Sequence, residues 1–511
     1  MAEILSIDIG TTNWKTVIFN EKGKIAASAK CPARTISDNK GFQYYSPDEI
    51  WESVAALIGE LREKHTLDNV AAVVVSSMGE SVVPIGKDGK TLCNIIPWFD
   101  DRSIQQSRDF AQRIGSEKIF SITGLDPAPV FTVSKILWIK QNYPEVYEKT
   151  VKWLQMADYI NYMLTGNLVT DYSLASRTMY FDINKNDWSD EIAYESGIDK
   201  KVFPDIIKST SIIGYVNSEA ARATNLTIGT PVVMGGHDHP CATIAAGVFD
   251  GETVFDSSGT AESFLYVSSK GALLPEKRIG QRQCRHLDPQ RYILWGGIIS
   301  SGISVDWAIK RLALSEDWGI QLPYMTFNEI LCACKDIPCG SEGVMFLPHL
   351  RGSGAPYWDT QMKGAFLGLS TKHNARHMIR SVIEGLSYQA AMIVRMFEEL
   401  SEMQIKRLYC AGGGAKLQLW QQTKADVTGK CVEAMHIDEA TCFGTVVLAG
   451  VGIGLYKDME SGALEIKAET IRYIPDEKNN LKYQELYEIF RSSYHSLEAI
   501  NRQLDFFARE K

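Results

Sequence analysis

A chain of 511 residues is too long for one hydrophobic core and suits two domains of about 250 residues each. Its composition, 45% hydrophobic and 23% charged, is that of a soluble globular protein, and a net charge of −9 without long Lys/Arg runs excludes the basic footprint of a nucleic-acid binder. No apolar run approaches the roughly 20 residues that span a bilayer, and the N-terminal MAEILSIDIG lacks the basic and apolar regions of a signal peptide, so a cytoplasmic protein with a small-molecule partner is expected.

In chain order, ILSIDIGTTNWKTVIFN reads as a strand that ends near Asp8, a Gly/Thr turn and a second strand. A third strand follows near Ile25, helical periodicity covers 47–64, and a β-branched run covers 70–76. Helix-rich stretches fill 103–165. PVVMGG at 231–236 reads as a buried strand that enters an Asp-containing turn and the apolar helix CATIAAGVF. The lobe boundary is placed near 247–251, giving domains 1–248 and 249–511. ETVFDSSGTAESFLYV then repeats the opening pattern at Asp256, 256 − 8 = 248 residues after Asp8. Helices are expected near Val305 and over 375–402, RLYCAGGGAKLQLWQQTKADVTG is another strand, glycine turn and helix, and the chain after Tyr456 ends in a short amphipathic, helical tail. With no low-complexity linker, the lobes should pack directly and hinge on element ends. Ten cysteines without CxxC or zinc spacing are expected as buried, reduced thiols.

A glycine in such a turn lets the backbone approach an anion, so that N–H groups and Thr/Ser hydroxyls converge on phosphate oxygens. One copy alone is most often an ordinary hairpin; two copies half a chain apart suggest related lobes that grip one nucleotide from both sides. Asp238, in GGHDHPCATIAAG, stands where a strand ends and a helix begins, the place where open α/β sheets bind ligands. It is a candidate general base, with a helix N-cap as the plain structural alternative. His237 and His239 beside it could suggest a metal, but no third ligand is near in sequence.

The repeat resembles the actin-like ATPase superfamily. GAFLGLSTKHNARHMIRSVIEG at 364–385 further resembles the C-terminal signature of the FGGY carbohydrate kinases, and VFTVSKILWIKQN their N-terminal signature through Thr132, Lys135 and Trp138, with Val130 departing from it. PWFDDR, TDYSLASRTMYFDI, LPHLRGSGAPYWD and AGGGAKLQLW match the family in order. The fold implied is α/β, two actin-like ATPase (ribonuclease H-like) lobes with a nucleotide and substrate cleft between them. The activity implied is transfer of the γ-phosphate of ATP to a hydroxyl of a small sugar or polyol, a ketopentose such as xylulose first; kinases of other polyols, or a non-catalytic nucleotide-switched sugar sensor, are the alternatives. A homodimer is the oligomer this resemblance allows.

Carried over residue by residue, Asp238 resembles the family's base and Asp8 would hold Mg²⁺ through its water shell, with Thr11, Thr12, Asn13 and Lys15 facing the β/γ-phosphates. Ser258, Gly259 and Thr260 would form the opposing phosphate turn, Gly302 and Asp306 would contact nucleotide, and Gly413, Gly414 and Gln418 match the adenosine-binding turn. Met78, Gly79 and Glu80 occupy the sugar-binding loop without reproducing the better-known subfamilies, and Trp98 and Asp100 belong to W-x-D-x-R, where an internal Asp100–Arg102 brace is the alternative to sugar contact. Trp295, Trp307 and Trp358 are expected in the core or between the lobes.

Overall fold

The computed structural model describes residues 2–271, 275–312, 326–435, 439–466 and 468–509. In the first half, β1 (Glu3–Ile9), β2 (Asn13–Asn20) and β3 (Ile25–Pro32) form an antiparallel meander. Helix α1 (Pro47–Lys64) starts where Ser46 accepts the Glu49 N–H and Pro47 presets the first turn. It turns Ile50, Val54, Leu57, Ile58 and Leu61 inward at helical spacing. Strand β4 (Val70–Ser77) lies parallel to β1; β5 (Ile212–Tyr215) and β6 (Pro231–His237) complete the order β5-β6-β4-β1-β2-β3. Strands β1, β4 and β6 are parallel and almost wholly buried, which is why their sequences are continuous apolar runs. Their register sets Ile9, Ser77 and His237 side by side, so Asp8, Met78 and Asp238 emerge at one sheet edge.

Helix α2 (Asp238–Ala245) leads into the second half. Its sheet contains β7 (Thr253–Ser258), β8 (Glu262–Ser268), β9 (Arg282–Arg285), β10 (Tyr292–Ile298), β11 (Arg407–Ala411), β12 (Cys431–Met435) and β13 (Thr470–Tyr473), in the order β9-β10-β8-β7-β11-β12-β13. Antiparallel β7, β8 and β10 match β1, β2 and β3; parallel β11 and β12 match β4 and β6, and antiparallel β13 matches β5. The expected two-lobe α/β architecture is present, and the resemblance between the turns at Asp8 and Asp256 extends to both sheets. Helices α3 (Gly302–Leu312), α4 (Ala375–Ser401) and α5 (Gln418–Thr428) lie where helices are expected, and α6 (Ala440–Gly452) comes after β12.

Three expectations need correction. The 103–165 stretch contains a strand, Thr150–Gln155, paired with Val82–Gly86 outside the main sheet; its Trp153 and Leu154 are buried there. The amphipathic tail is helical as expected but not short: it is a 33-residue helix, α7 (Glu477–Arg509), whose Tyr483, Tyr487 and Phe490 pack on α4 and α5. All ten cysteines are unpaired as expected, but Cys31, Cys93, Cys332, Cys339 and Cys431 are only half-buried.

The two halves share more than a hinge. Helices α2 and α6 pack on each other between the sheets, in a core that joins Ile4, Val17 and Val74 of the first to Phe255 and Leu265 of the second through Ile244, Val446 and Val447. Gly444 makes this contact possible, since a Cβ there would lie 1.7 Å from the Cys241 carbonyl oxygen. Ser6 and Thr445 hydroxyls meet at 2.7 Å across the same interface. Residues 440–452, placed by sequence in the second domain, therefore cover the first sheet.

Candidate active site

The carboxyl edge of the first sheet carries two acidic groups that affect each other. Asp8 is buried and accepts the Ser76 hydroxyl at 3.0 Å. Burial and the charge of Asp238 push its pKa up to about 7, against the lowering pull of Lys15 and Ser76. At Asp238, Oδ1 accepts the His239 backbone N–H at 2.7 Å and meets His239 Nδ1 at 2.9 Å and His237 Nε2 at 3.2 Å. Burial opposes ionisation, but the two histidines and the His239 hydrogen bonds prevail and bring Asp238 down to about 2. No partner for Oδ2 is found among the described residues, so that oxygen can meet a ligand hydroxyl.

Burial keeps His237 neutral, with its pKa near 4, whereas the Asp238 charge outweighs burial at His239 and raises it. His237, Asp238 and His239 bring ligand atoms within 4.8 Å of one another. His239 is hydrogen-bonded to Asp238 Oδ1 and His237 Nε2 lies against the same oxygen, which makes the two rings supports of Asp238. A buried carboxylate pair with a raised Asp8 pKa is instead the donor chemistry that suits a hard divalent cation through oxygen ligands.

Next to this edge lies a cavity of about 230 Å³ lined from both halves, by Thr11, Met78, Gly79, Glu80 and Trp98 on one side and Glu262, Arg282, Trp295 and Trp358 on the other. Glu80 sits in left-handed backbone, φ 67°, an uncommon conformation for a non-glycine residue. Its Oε1 accepts the Arg177 Nε–H at 2.7 Å and lies 2.5 Å from Nη2, while Thr132 donates to its carbonyl. Burial opposes the charge, but Arg177 and His237 hold Glu80 below the usual carboxylate range. Trp98 donates its indole N–H to Thr11 Oγ1 at 2.9 Å, which ties the aromatic wall to the turn after β1.

Thr11 and Thr12 are exposed at that turn, and Gly10 N–H bonds to the Asn13 carbonyl across it. Lys15 reaches the other half instead, pairing with Glu439 at 2.9 Å. On the second sheet Gly259 and Thr260 are exposed at the turn after β7, and Gly302 packs against them so closely that a Cβ would lie 2.4 Å from the Gly259 carbonyl oxygen. Gly412 (φ 89°) and Gly414 pack on Ser258, leaving Gly413 open to solvent. These glycine turns thus form one cluster, with Gln418 exposed at the start of α5, where its N–H bonds to Asn328 Oδ1. Asp306 pairs with Lys310 one helical turn later, at 2.9 Å.

Besides Lys15, two site residues lie elsewhere than expected. The Asp100 carboxylate is occupied by Arg102 through Nε at 2.7 Å and Nη2 at 2.8 Å and by the Gln43 N–H at 2.9 Å; it braces its loop outside the cavity lining. The Ser258 hydroxyl is fully buried and donates toward Asp256 and Glu262, away from the cleft. Trp295, in the core between the halves, and Trp307 and Trp358, packed on the core of the second half, lie as expected, and Trp295 and Trp358 also line the cavity. Sequence reasoning passed over Arg177 and Arg282. The only hint was a lone arginine within the mostly apolar or small TDYSLASRTMYFDI segment.

Comparison with known proteins bears on the family and the fold. The model for the "FGGY family of carbohydrate kinases, N-terminal domain" matches residues 3–245, and that for the C-terminal domain matches 256–453. The chain is 26% identical to a xylulose kinase of Bacillus subtilis, over 100% of both chains. It superposes on a ligand-bound xylulose kinase from Lactobacillus acidophilus with a TM-score of 0.90 at 26% identity, covering 99% of this chain and 100% of that one. A gluconate kinase from the same organism gives a TM-score of 0.90 at 25% identity, covering 98% and 99%.

Proposed function

The chain belongs to the FGGY family of carbohydrate kinases, and from that premise we propose that Asp238 is the base that takes a proton from the sugar hydroxyl as this hydroxyl attacks the γ-phosphorus of ATP. The protein is a sugar kinase, a phosphotransferase with an alcohol acceptor. The observation that carries the role of Asp238 is its arrangement at the cavity edge: Oδ1 accepts the His239 backbone N–H, meets its ring Nδ1 and lies 3.2 Å from His237 Nε2, and Oδ2 is left for the hydroxyl. As the new O–P bond forms, the bond between γ-phosphorus and the β,γ-bridging oxygen breaks, ADP leaves with the electron pair, and the proton passes to Oδ2. A carboxylate near pKa 2 is a weak base, but it is always ionised, and in a loose phosphoryl-transfer transition state the proton moves late.

Thr11, Thr12 and Asn13 on one lobe and Gly259, Thr260 and Gly413 on the other are the groups assigned to phosphate and nucleotide. Asp8 would hold Mg²⁺ beside Asp238; the cation, when bound, offsets phosphate charge. The acceptor is a small linear carbohydrate. A ketopentose such as xylulose is one candidate, supported by the names of the B. subtilis and L. acidophilus relatives. An aldonate is the second, supported by a gluconate kinase relative and by the charge of Arg282 in the cavity. ADP release from purified protein against ketopentoses, ketohexoses, aldonates and tetritols, with product mass, tests the reading; no phosphorylated product from any acceptor, with ATP and Mg²⁺ bound, would refute it.

A further inference from the structure

The cavity beside Asp238 is lined by two guanidinium groups, and among the described residues only one of them has an ion pair. Arg177, 4% exposed, comes from the first half; Arg282 comes from β9 of the second. Both guanidinium groups stack near Phe131, with Cζ 5.2 Å and 5.6 Å from its ring centroid, and each faces a tryptophan of the cavity wall, Arg177 over Trp295 at 4.6 Å and Arg282 over Trp358 at 4.1 Å. Arg177 has an anion, Glu80 Oε1. Arg282 has no ion pair among the described residues. The nearby Asp126 is paired with Arg278 at 2.9 Å. Two buried donors, Arg177 Nη1 and Arg282 Nε, lack hydrogen-bond partners.

An unpaired donor in a buried position is costly, and an unpaired buried charge more so, unless a ligand completes it. The other cavity carboxylates are already engaged, Asp238 by the two histidines and Glu262 by Lys424, so among the described residues Arg282 is the guanidinium left without an anion, and one carboxylate would match it. The planar guanidinium fork suits a carboxylate, and the tryptophan and phenylalanine faces hold its plane while excluding water. A neutral ketose would offer only hydroxyl and carbonyl oxygens and leave that charge unmatched.

We propose that the acceptor of this kinase is a sugar acid, its carboxylate bound by Arg282 with Arg177 beside it and its reacting hydroxyl turned to Asp238. Burial, and then the charge of Arg177, push the Arg282 pKa down to about 10, which still leaves it charged at neutral pH. Arg177 holds Glu80 in place and lends its free Nη1 donor; Arg282 sets selectivity. This rests on the kinase reading and concerns only which acceptor fills the cavity.

The test compares acceptors that differ at one end. Wild-type protein with ATP and Mg²⁺ should turn over D-gluconate or D-xylonate with kcat/KM at least tenfold above that for D-xylulose. Arg282→Met should lower kcat/KM for the aldonate about ten- to hundredfold, mainly through KM, while the value for D-xylulose falls less or rises. If xylulose is the better substrate, or both fall alike, the proposal is overturned. Should the variant fold poorly, calorimetry on the wild type without ATP decides: D-xylonate should bind more tightly than xylitol, and equal or weaker binding overturns the proposal. Aldonate binding without phosphorylation of any acceptor would uphold the anion site and sink the kinase reading instead.

Discussion

Asp8 and Asp256 occupy the same place in two copies of one motif, yet their surroundings differ. Among the described residues Asp8 is held by one hydroxyl and by no cation; Lys15 is committed to Glu439. Asp256 is fully buried, bonded to the ammonium of Lys424, to the Ser258 hydroxyl at 3.0 Å and to Cys410 at 3.0 Å. Lys424 also binds Glu262 at 2.7 Å, and Ser301 donates to Glu262 at 2.6 Å. Burial and Asp256 nonetheless raise the Glu262 pKa to about 7. One half thus leaves its acidic group short of partners, which suits a ligand; the other has built the equivalent group into its core. A repeated motif fixes where a carboxylate sits but not whether its charge is available.

The sharpest way to break this comparison is at the chemical end. Asp238→Asn should reduce kcat by about 10²–10⁴-fold with ATP affinity and melting temperature nearly unchanged, read by steady-state kinetics and thermal melts. A variant within threefold of the parent would mean that another group accepts the proton. On the structural side, Lys424→Met leaves two buried carboxylates uncompensated and should destabilise the fold by roughly 3–5 kcal/mol in urea denaturation. Unchanged stability there would remove the distinction between the two halves.

Asp8 offers a test through pH. Its folded-state pKa, near 7 against an ordinary 3.8, means that the folded protein holds this proton more tightly than the unfolded chain. That contribution to stability is complete below pH 3.8 and is lost as pH rises toward 7. Asp8→Asn should therefore raise the melting temperature at pH 8 and abolish turnover. Mg²⁺, which competes with that proton, should stabilise the parent more at pH 8 than at pH 6, and the variant at neither. The smallest expected effect is that of Trp98→Phe, which loses the hydrogen bond to Thr11. A cost of about 0.5–1.5 kcal/mol would appear as a rise in KM of up to about tenfold.

What could be read in the chain was local. Helix α1, the strand at Val70–Ser77, the turn into Asp238 and the repeat at Asp256 follow from periodicity, caps and glycine placement within a few residues. The residues that decide the site's charge meet over long separations: Lys424 lies 168 positions from Asp256, and Arg177 meets Glu80 across 97. No short pattern announces such pairs. Asp100 shows the same limit from the other side, since W-x-D-x-R suits a sugar contact and a loop brace equally, and only the position of Gln43 distinguishes them.

The crossing of α2 and α6 also bears on how the molecule comes apart. Neither sheet can cover its inner face without a helix that the other half contributes or presses into place, and at Gly444 the two backbones touch with no side chain between them. Melting one half would strip apolar cover from the other, so heat should unfold the chain in one calorimetric transition, with van 't Hoff and calorimetric enthalpies agreeing. A fragment cut at the sequence boundary near Gly247 would lack α6 and regain a native-like core only when mixed with its complement.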